Sequence, residues 1–234
     1  MSAVSPSHRT RRAQPPLLAA PRRWGWWAAI LFVAVFAIGF VFRLVPGSSQ
    51  YAVDEALNRA ATPFADSVAL ALDVLDRPTV VLVILAVVFV VVGFAASWWR
   101  ALGVCAVTGL GWLTCLVVKT VVAQPRPPMT GLAHPLDVSP ATLSYPSGHV
   151  VFAVCLGVAL VAVCPRGIAR TGVLMLAIVF VAVVAWSRLY VGVHYPTDVI
   201  GAVLNGVAGS VLFLGLWNLV VRRVTRARGP QTTP

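Results

Sequence analysis

Acidic residues are scarce in this 234-residue chain: seven Asp and Glu stand against eighteen Lys and Arg, a formal net charge of +11. Lysine is scarcer still, with Lys119 the single example. Charged residues make up only 11% of the chain and hydrophobic residues 59%, and the mean hydropathy is +0.88. A soluble domain of this length could not hide so much apolar surface, so the composition points to an integral membrane protein. The carboxylates form no cluster suited to magnesium outside the membrane. Cysteine is absent from every external loop: Cys105, Cys115, Cys155 and Cys164 lie in apolar runs or at their ends. Neither a disulfide framework nor a zinc spacing results, and the four read as small packing residues.

Long apolar runs are what the chain has in abundance. A hydrocarbon core of about 30 Å needs roughly 20 helical residues, and six stretches approach that length: Trp24–Leu44, Thr79–Trp99, Ala101–Ala123, Ser147–Cys164, Ile168–Tyr190 and Val199–Val221. Continuous runs favour helices over the alternating strands of a barrel. The expected fold is therefore an all-α integral membrane protein, a bundle of six transmembrane helices spanning residues 24–221. Residues 1–23 and 222–234 are expected to be basic cytoplasmic tails, the first of them disordered. The first run is longer than a secretory signal core and lacks a small-x-small cleavage site, so it reads as an uncleaved span.

With the N-terminus placed in the cytoplasm, the inner side holds Arg9, Arg11, Arg12, Arg22, Arg23, Arg100, Arg166, Arg170, Arg222, Arg223, Arg226 and Arg228. That is twelve of the eighteen basic residues and none of the seven acids, as the positive-inside rule requires. Trp24, Trp26, Trp27, Trp98, Trp99 and Trp217 gather at the same inner ends, Trp186 lies near an outer end, and Trp112 falls mid-span as packing. The charge thus describes topology in a cytoplasmic membrane, and nucleic-acid binding is not expected.

Between Tyr51 and Asp76, apolar residues recur at Val53, Leu57, Ala60, Phe64, Val68, Leu72 and Leu75. This spacing predicts an external amphipathic helix broken near Pro63, with Asp54, Glu55, Asn58, Arg59 and Asp66 on its wet side. It would either line a lipid entrance or simply connect two spans. The loop from Pro127 to Pro146, with His134 and Asp137, is placed to cap a neighbouring site. His8 and His134 receive no role.

Three short blocks carry the chemistry. Lys119 is followed seven residues later by Arg126-Pro127; Pro146-Ser147-Gly148-His149 comes next; Ser187-Arg188 then precedes His194 and Asp198. From His149 to Ser187 is 38 residues, about 57 Å of helix, or two crossings. The chain goes in and returns, so all three blocks reach one membrane face. Lys119, Arg126 and Arg188 can offset phosphate charge. Ser147, Gly148 and His149 open a helix whose free amides favour an anion, and Gly148 permits close approach. Taken singly, each cation could equally be a side chain reaching for headgroups. Asp198 lies one turn from His194 and can orient its imidazole for attack on phosphorus. His149 is then the acid and afterwards the base.

This three-part pattern resembles the type 2 phosphatidic acid phosphatase family, whose superfamily also includes vanadium haloperoxidases and glucose-6-phosphatase. Every position of the pattern is present and in order; Arg126-Pro127 is followed by Pro128 in place of a second basic residue. The resemblance implies a six-helix membrane fold and a metal-independent phosphatase without cofactor. It implies catalytic roles for His194, His149 and Asp198 and phosphate binding by Lys119, Arg126, Ser147, Gly148 and Arg188. The expected substrate is a membrane lipid phosphate: a polyprenyl diphosphate, phosphatidic acid or phosphatidylglycerophosphate, acted on at the outer face, with vanadate as a transition-state mimic. Lipid phosphotransfer is the alternative within this fold. A lipid transporter would need polar residues near the bilayer midplane, which are sparse here, and a catalytically dead relative would not be expected to keep the motif intact. Oligomeric state is left open.

Overall fold

Several helix starts in this protein are set by prolines or hydroxyl caps. The computed structural model describes residues 17–45, 48–138 and 143–227. Among these residues the order of helices is α1 (Trp24–Arg43), α2 (Ser48–Arg59), α3 (Pro63–Leu72), α4 (Pro78–Ala95), α5 (Trp98–Val122), α6 (Gly148–Val163), α7 (Ile168–Tyr190) and α8 (Pro196–Ala227). A 3-10 turn, Met129–Gly131, lies between α5 and α6, and no strand occurs among the described residues. Pro63, Pro78 and Pro196 stand at first helical positions, where a missing N–H costs no bond. Thr62 caps α3 by accepting from the Ala65 amide at 3.2 Å.

Five helices, α1, α4, α5, α7 and α8, are long and apolar enough to cross a membrane. Helix α6 is apolar but has 16 residues. It is also the most enclosed, packed against α5, α7 and α8. Helix α8 touches α1, α5 and α6 as well. Its crossing with α5 is close because both helices carry glycine there: a Cβ on Gly209 would lie 2.9 Å from the Gly111 carbonyl.

Several boundaries differ from those expected. The stretch Thr79–Trp99 is not one span. Helix α4 ends at Ala95, and Ser97 caps α5 by accepting from the Arg100 amide at 3.3 Å, so Trp98 and Trp99 open the next helix. The last span begins at Pro196 and runs on to Ala227, because nothing in Arg222–Ala227 breaks a helix; the expected tail therefore starts as helix. At the other end, part of the expected 1–23 tail is anchored. Leu18 is buried, its amide donates to Asn218 Oδ1 at 3.0 Å, and its carbonyl accepts from Asn218 Nδ2 at 2.8 Å. The Ala19 amide adds a bond to the Ala162 carbonyl at 3.1 Å. His8, Arg9, Arg11, Arg12, Arg228 and positions 139–142 of the Pro127–Pro146 loop lie outside the described residues.

The tryptophans behave as expected of one shared end. Trp24 abuts Gly215 of α8, and Trp217 lies 6.5 Å from Trp99, ring centre to ring centre. Trp112 packs edge-on against Phe152 inside the bundle, at 6.1 Å. All four cysteines are free thiols, with Cys115 and Cys155 buried.

The segment after α1 is two helices, broken near Pro63 as expected, but its faces follow those predicted only in part: Arg59 is exposed and Leu75 buried, as expected. Asp54 and Asn58 are wholly buried, whereas Val53 is exposed and Phe64 is 80% exposed. Asn58 Nδ2 donates to the His134 carbonyl at 2.8 Å and to the Tyr190 carbonyl at 3.2 Å, and its Oδ1 accepts from the His134 amide at 2.7 Å. Gln50 Oε1 accepts from the Thr197 hydroxyl at 2.7 Å. The polar side of α2 thus binds the protein beneath it, because the ends of α7 and α8 and the loop after α5 present unpaired backbone groups that need partners.

Candidate active site

The three sequence blocks meet at the ends of α5, α6, α7 and α8, linked pairwise by hydrogen bonds. Lys119 lies in the last turn of α5, which stops where Ala123 adopts φ 50° and returns its amide to the Lys119 carbonyl at 2.8 Å. Lys119 Nζ donates to the Leu143 carbonyl at 3.0 Å, joining the first block to the approach of the second. Arg126 Nη1 donates to the Val193 carbonyl at 3.0 Å and lies 3.4 Å from His194 Nε2, joining the first block to the third. The Ser147 amide donates to the Asp198 carbonyl at 3.3 Å, joining the second to the third.

Tyr145 sets the position of the second block. It is buried between α1 and α8, against Gly39 and Gly201, and its hydroxyl donates to the Val35 carbonyl at 2.6 Å. Three residues on, Gly148 and His149 begin α6, with Ser147 as N-cap residue. The Ser147 hydroxyl is buried and has no protein partner among the described residues.

His194 is 1% exposed in the turn between α7 and α8. Its Nδ1 lies 3.3 Å from Asp198 Oδ2, which also accepts from the Tyr195 amide at 2.8 Å. With Nδ1–H directed at the carboxylate, the lone pair of Nε2 faces the cations. Burial, then the charges of Arg126, Lys119, His149 and Arg188, push the His194 pKa well below its ordinary value, so the ring is neutral at neutral pH.

His149 and Arg188 share partners that do not belong to the blocks. Arg188 Nη1 donates to Asp73 Oδ1 at 2.8 Å, Nη2 to the Ala69 carbonyl at 3.0 Å, and Nε to the Ser187 hydroxyl at 3.2 Å. His149 Nε2 donates to the Asp73 carbonyl at 3.0 Å, and Nδ1 lies 3.1 Å from Asp76 Oδ2. Burial would raise the Asp76 carboxyl, but the adjacent His149, with Lys119 and Arg188, outweighs it and holds the group below its ordinary value. Asp54, on the buried side of α2, lacks a partner for either carboxylate oxygen among the described residues; burial, with a smaller push from Asp198, raises its pKa to about 8.

The structure therefore brings together all eight residues singled out from the blocks: His149, His194, Asp198, Lys119, Arg126, Ser147, Gly148 and Arg188. Residues 100–222, which hold every block and more than half of the chain, match the PAP2 superfamily model. The chain belongs to the PAP2 superfamily. Among curated PAP2-like relatives, it is 37% identical over 91 residues to an undecaprenyl-diphosphatase of Sulfolobus acidocaldarius, covering 38% of this chain and 42% of that one. It is 31% identical over 98 residues to a decaprenylphosphoryl-5-phosphoribose phosphatase of Mycobacterium tuberculosis, covering 42% and 50%. It is 27% identical over 157 residues to phosphatidylglycerophosphatase B of Bacillus subtilis, covering 63% and 75%. The first two matches span about half the length of those relatives or less. In fold, the chain resembles the PAP2-type phosphatidylglycerolphosphate phosphatase of Bacillus subtilis, with a TM-score of 0.65 at 22% identity over 85% of this chain and 98% of that one. It also resembles Aquifex aeolicus LpxE, with a TM-score of 0.57 at 20% identity over 71% and 94%. This PAP2 protein is a multi-pass membrane protein.

Asp73 and Asp76 precede the matched segment, and no motif block marks them. A signal for them exists in the charge balance. They are two of only seven acids, and they fall between two apolar runs at the face where the three cations emerge.

Proposed function

We propose that this protein is a metal-independent lipid phosphatase, working through a phosphohistidine intermediate at the outer face of a cytoplasmic membrane. The observation that carries this reading is the buried, neutral His194 paired with Asp198 and facing Lys119, Arg126 and Arg188. Phosphate binds among these cations and the first turn of α6, where the free amides and the Ser147 hydroxyl can reach its oxygens. His194 Nε2 attacks phosphorus, and the bond to the lipid oxygen breaks as that oxygen takes a proton from His149. Water, giving a proton back to His149, then attacks phosphorus; the P–N bond breaks and inorganic phosphate leaves. Positioning and fixed charge supply most of the rate.

In this reading the membrane domain has six crossings. Helix α6, about 24 Å long at 1.5 Å per residue, is a short central crossing whose outer end opens into the site. Helices α2 and α3 lie on the outer side, both termini are cytoplasmic, and residues before 24 and beyond 227 are basic tails. A lipid phosphate is the substrate class: the undecaprenyl-diphosphatase, decaprenylphosphoryl-5-phosphoribose phosphatase and phosphatidylglycerophosphatase relatives are named for polyprenyl or glycerol lipids carrying phosphate. An outward site suits recycling of a polyprenyl diphosphate carrier.

The test is phosphate release by purified protein in detergent with a chelator present, from phosphatidic acid, phosphatidylglycerophosphate and a polyprenyl diphosphate. Release from one lipid by wild type and none by His194→Ala is the expected result, with vanadate inhibiting competitively. Appreciable turnover by His194→Ala, or abolition by chelator, would overturn the mechanism. Phosphate appearing on a second lipid instead of in water would make the protein a phosphotransferase.

A further inference from the structure

Asp73 and Asp76 enter the cation ring from the α3–α4 turn, and they are held differently. Asp73 is fixed: it accepts from Arg188 through Oδ1 and from His149 through its backbone carbonyl, and Arg77 Nη2 lies 4.0 Å from its Oδ2. Asp76 has no arginine or lysine within ion-pair distance among the described residues. Its Oδ2 lies 3.1 Å from His149 Nδ1 and against the backbone of Gly148, where a Cβ would come within 2.8 Å of it. The Asp76 side chain is 34% exposed, so rotation about its own bonds can carry it into water.

The place it fills is one an anion needs. The first amides of α6 have no intrahelical partner, and the helix dipole favours negative charge there. Lys119 and Arg126 donate to backbone carbonyls, Arg126 also faces a ring nitrogen of His194, and neither has a carboxylate at ion-pair distance among the described residues. Their charge is costly while no anion is near. Because Nε2 of His149 is taken by the Asp73 carbonyl, Nδ1 is the nitrogen left to meet a leaving oxygen. Asp76 Oδ2 stands at that nitrogen.

We propose that Asp76 is the site's own counter-anion: in the empty enzyme its carboxylate holds the phosphate seat, and the substrate enters by turning it out to water. The inference rests on the phosphatase reading above and adds a determinant of affinity to it. The same carboxylate returns when phosphate leaves, so it weakens product binding and speeds release. Asp76 lies outside residues 100–222, so this device is not part of the segment that matches the PAP2 superfamily model.

The experiment compares wild type, Asp76→Asn and Asp137→Asn, the last removing one exposed acid elsewhere in the external loops. Binding of inorganic phosphate and of orthovanadate is measured by titration calorimetry, and KM and kcat are measured on the best lipid substrate. Asp76→Asn should bind both anions about tenfold more tightly, with a lower KM, while Asp137→Asn matches wild type. Should the amide misfold, Asp76→Ser gives the same comparison. Unchanged or weaker anion binding overturns the proposal. So does a kcat that falls mainly for monoesters and not for diphosphates with unchanged anion affinity, because Asp76 would then be a fixed partner of His149. Lipid hydrolysis by wild type reports on the phosphatase reading separately: anion exchange at Asp76 without hydrolysis would sink that reading alone.

Discussion

Arg126 Nη1 lies 3.4 Å from Nε2 of His194, though 68 positions separate the two residues. After burial, the guanidinium charge does most to hold the imidazole neutral. It is tied down by the Val193 carbonyl rather than by a carboxylate. In the proposed mechanism one arginine serves both the nucleophile and the anion it attacks.

Removing that charge should act twice. Arg126→Ala should lower kcat by about 10²–10³, as loss of one oriented donor does elsewhere. It should also let the His194 pKa rise toward its ordinary value. In the proposed mechanism the neutral ring attacks, so the acid limb of the pH–rate profile should move to higher pH. A rate loss with an unmoved limb would detach Arg126 from His194.

Gly148→Ala separates folding from binding. The added Cβ would press on the Asp76 carboxylate oxygen, the mobile end of a partly exposed side chain, at 2.8 Å; the next nearest atoms, at 3.8 and 3.9 Å, belong to the same side chain. Thermal stability should therefore change by no more than about 1 kcal/mol. Turnover and vanadate affinity should collapse, because the methyl group stands where phosphate must sit. Full activity in this variant would move the seat away from the start of α6.

Asp54 gives a stability prediction with a definite sign. Its folded-state pKa is raised to about 8 from an ordinary 3.8. The folded protein then holds a proton that the unfolded chain releases, so this residue costs stability progressively as pH rises from about 4 to about 8. Asp54→Asn keeps the shape and removes the ionisation. Its melting temperature should exceed that of wild type at pH 8, with the gain shrinking toward pH 4. A gain that is constant across this range would mean that Asp54 does not titrate there.

Much of this protein was determined by the sequence alone. The apolar runs, the prolines at helix starts and the three motif blocks act locally or through helix length. Ile168–Tyr190 accordingly matches its predicted bounds, and the eight block residues meet because α6 leads away from the site and α7 returns to it. Shorter-range detail was legible only in part: Ser97 is a cap between two apolar runs, and hydropathy alone reads across it. What only the tertiary structure decided is which polar residues turn inward. Asp54 and Asn58 look like the wet side of an amphipathic helix, yet Asn58 is bound by carbonyls 76 and 132 positions away. Asp73 and Asp76 look like loop acids, yet they stand against Arg188 and His149. A helix face takes its character from whatever packs against it, and an ion pair from whichever charge the fold brings within about 4 Å. Neither is written in the spacing of a single chain.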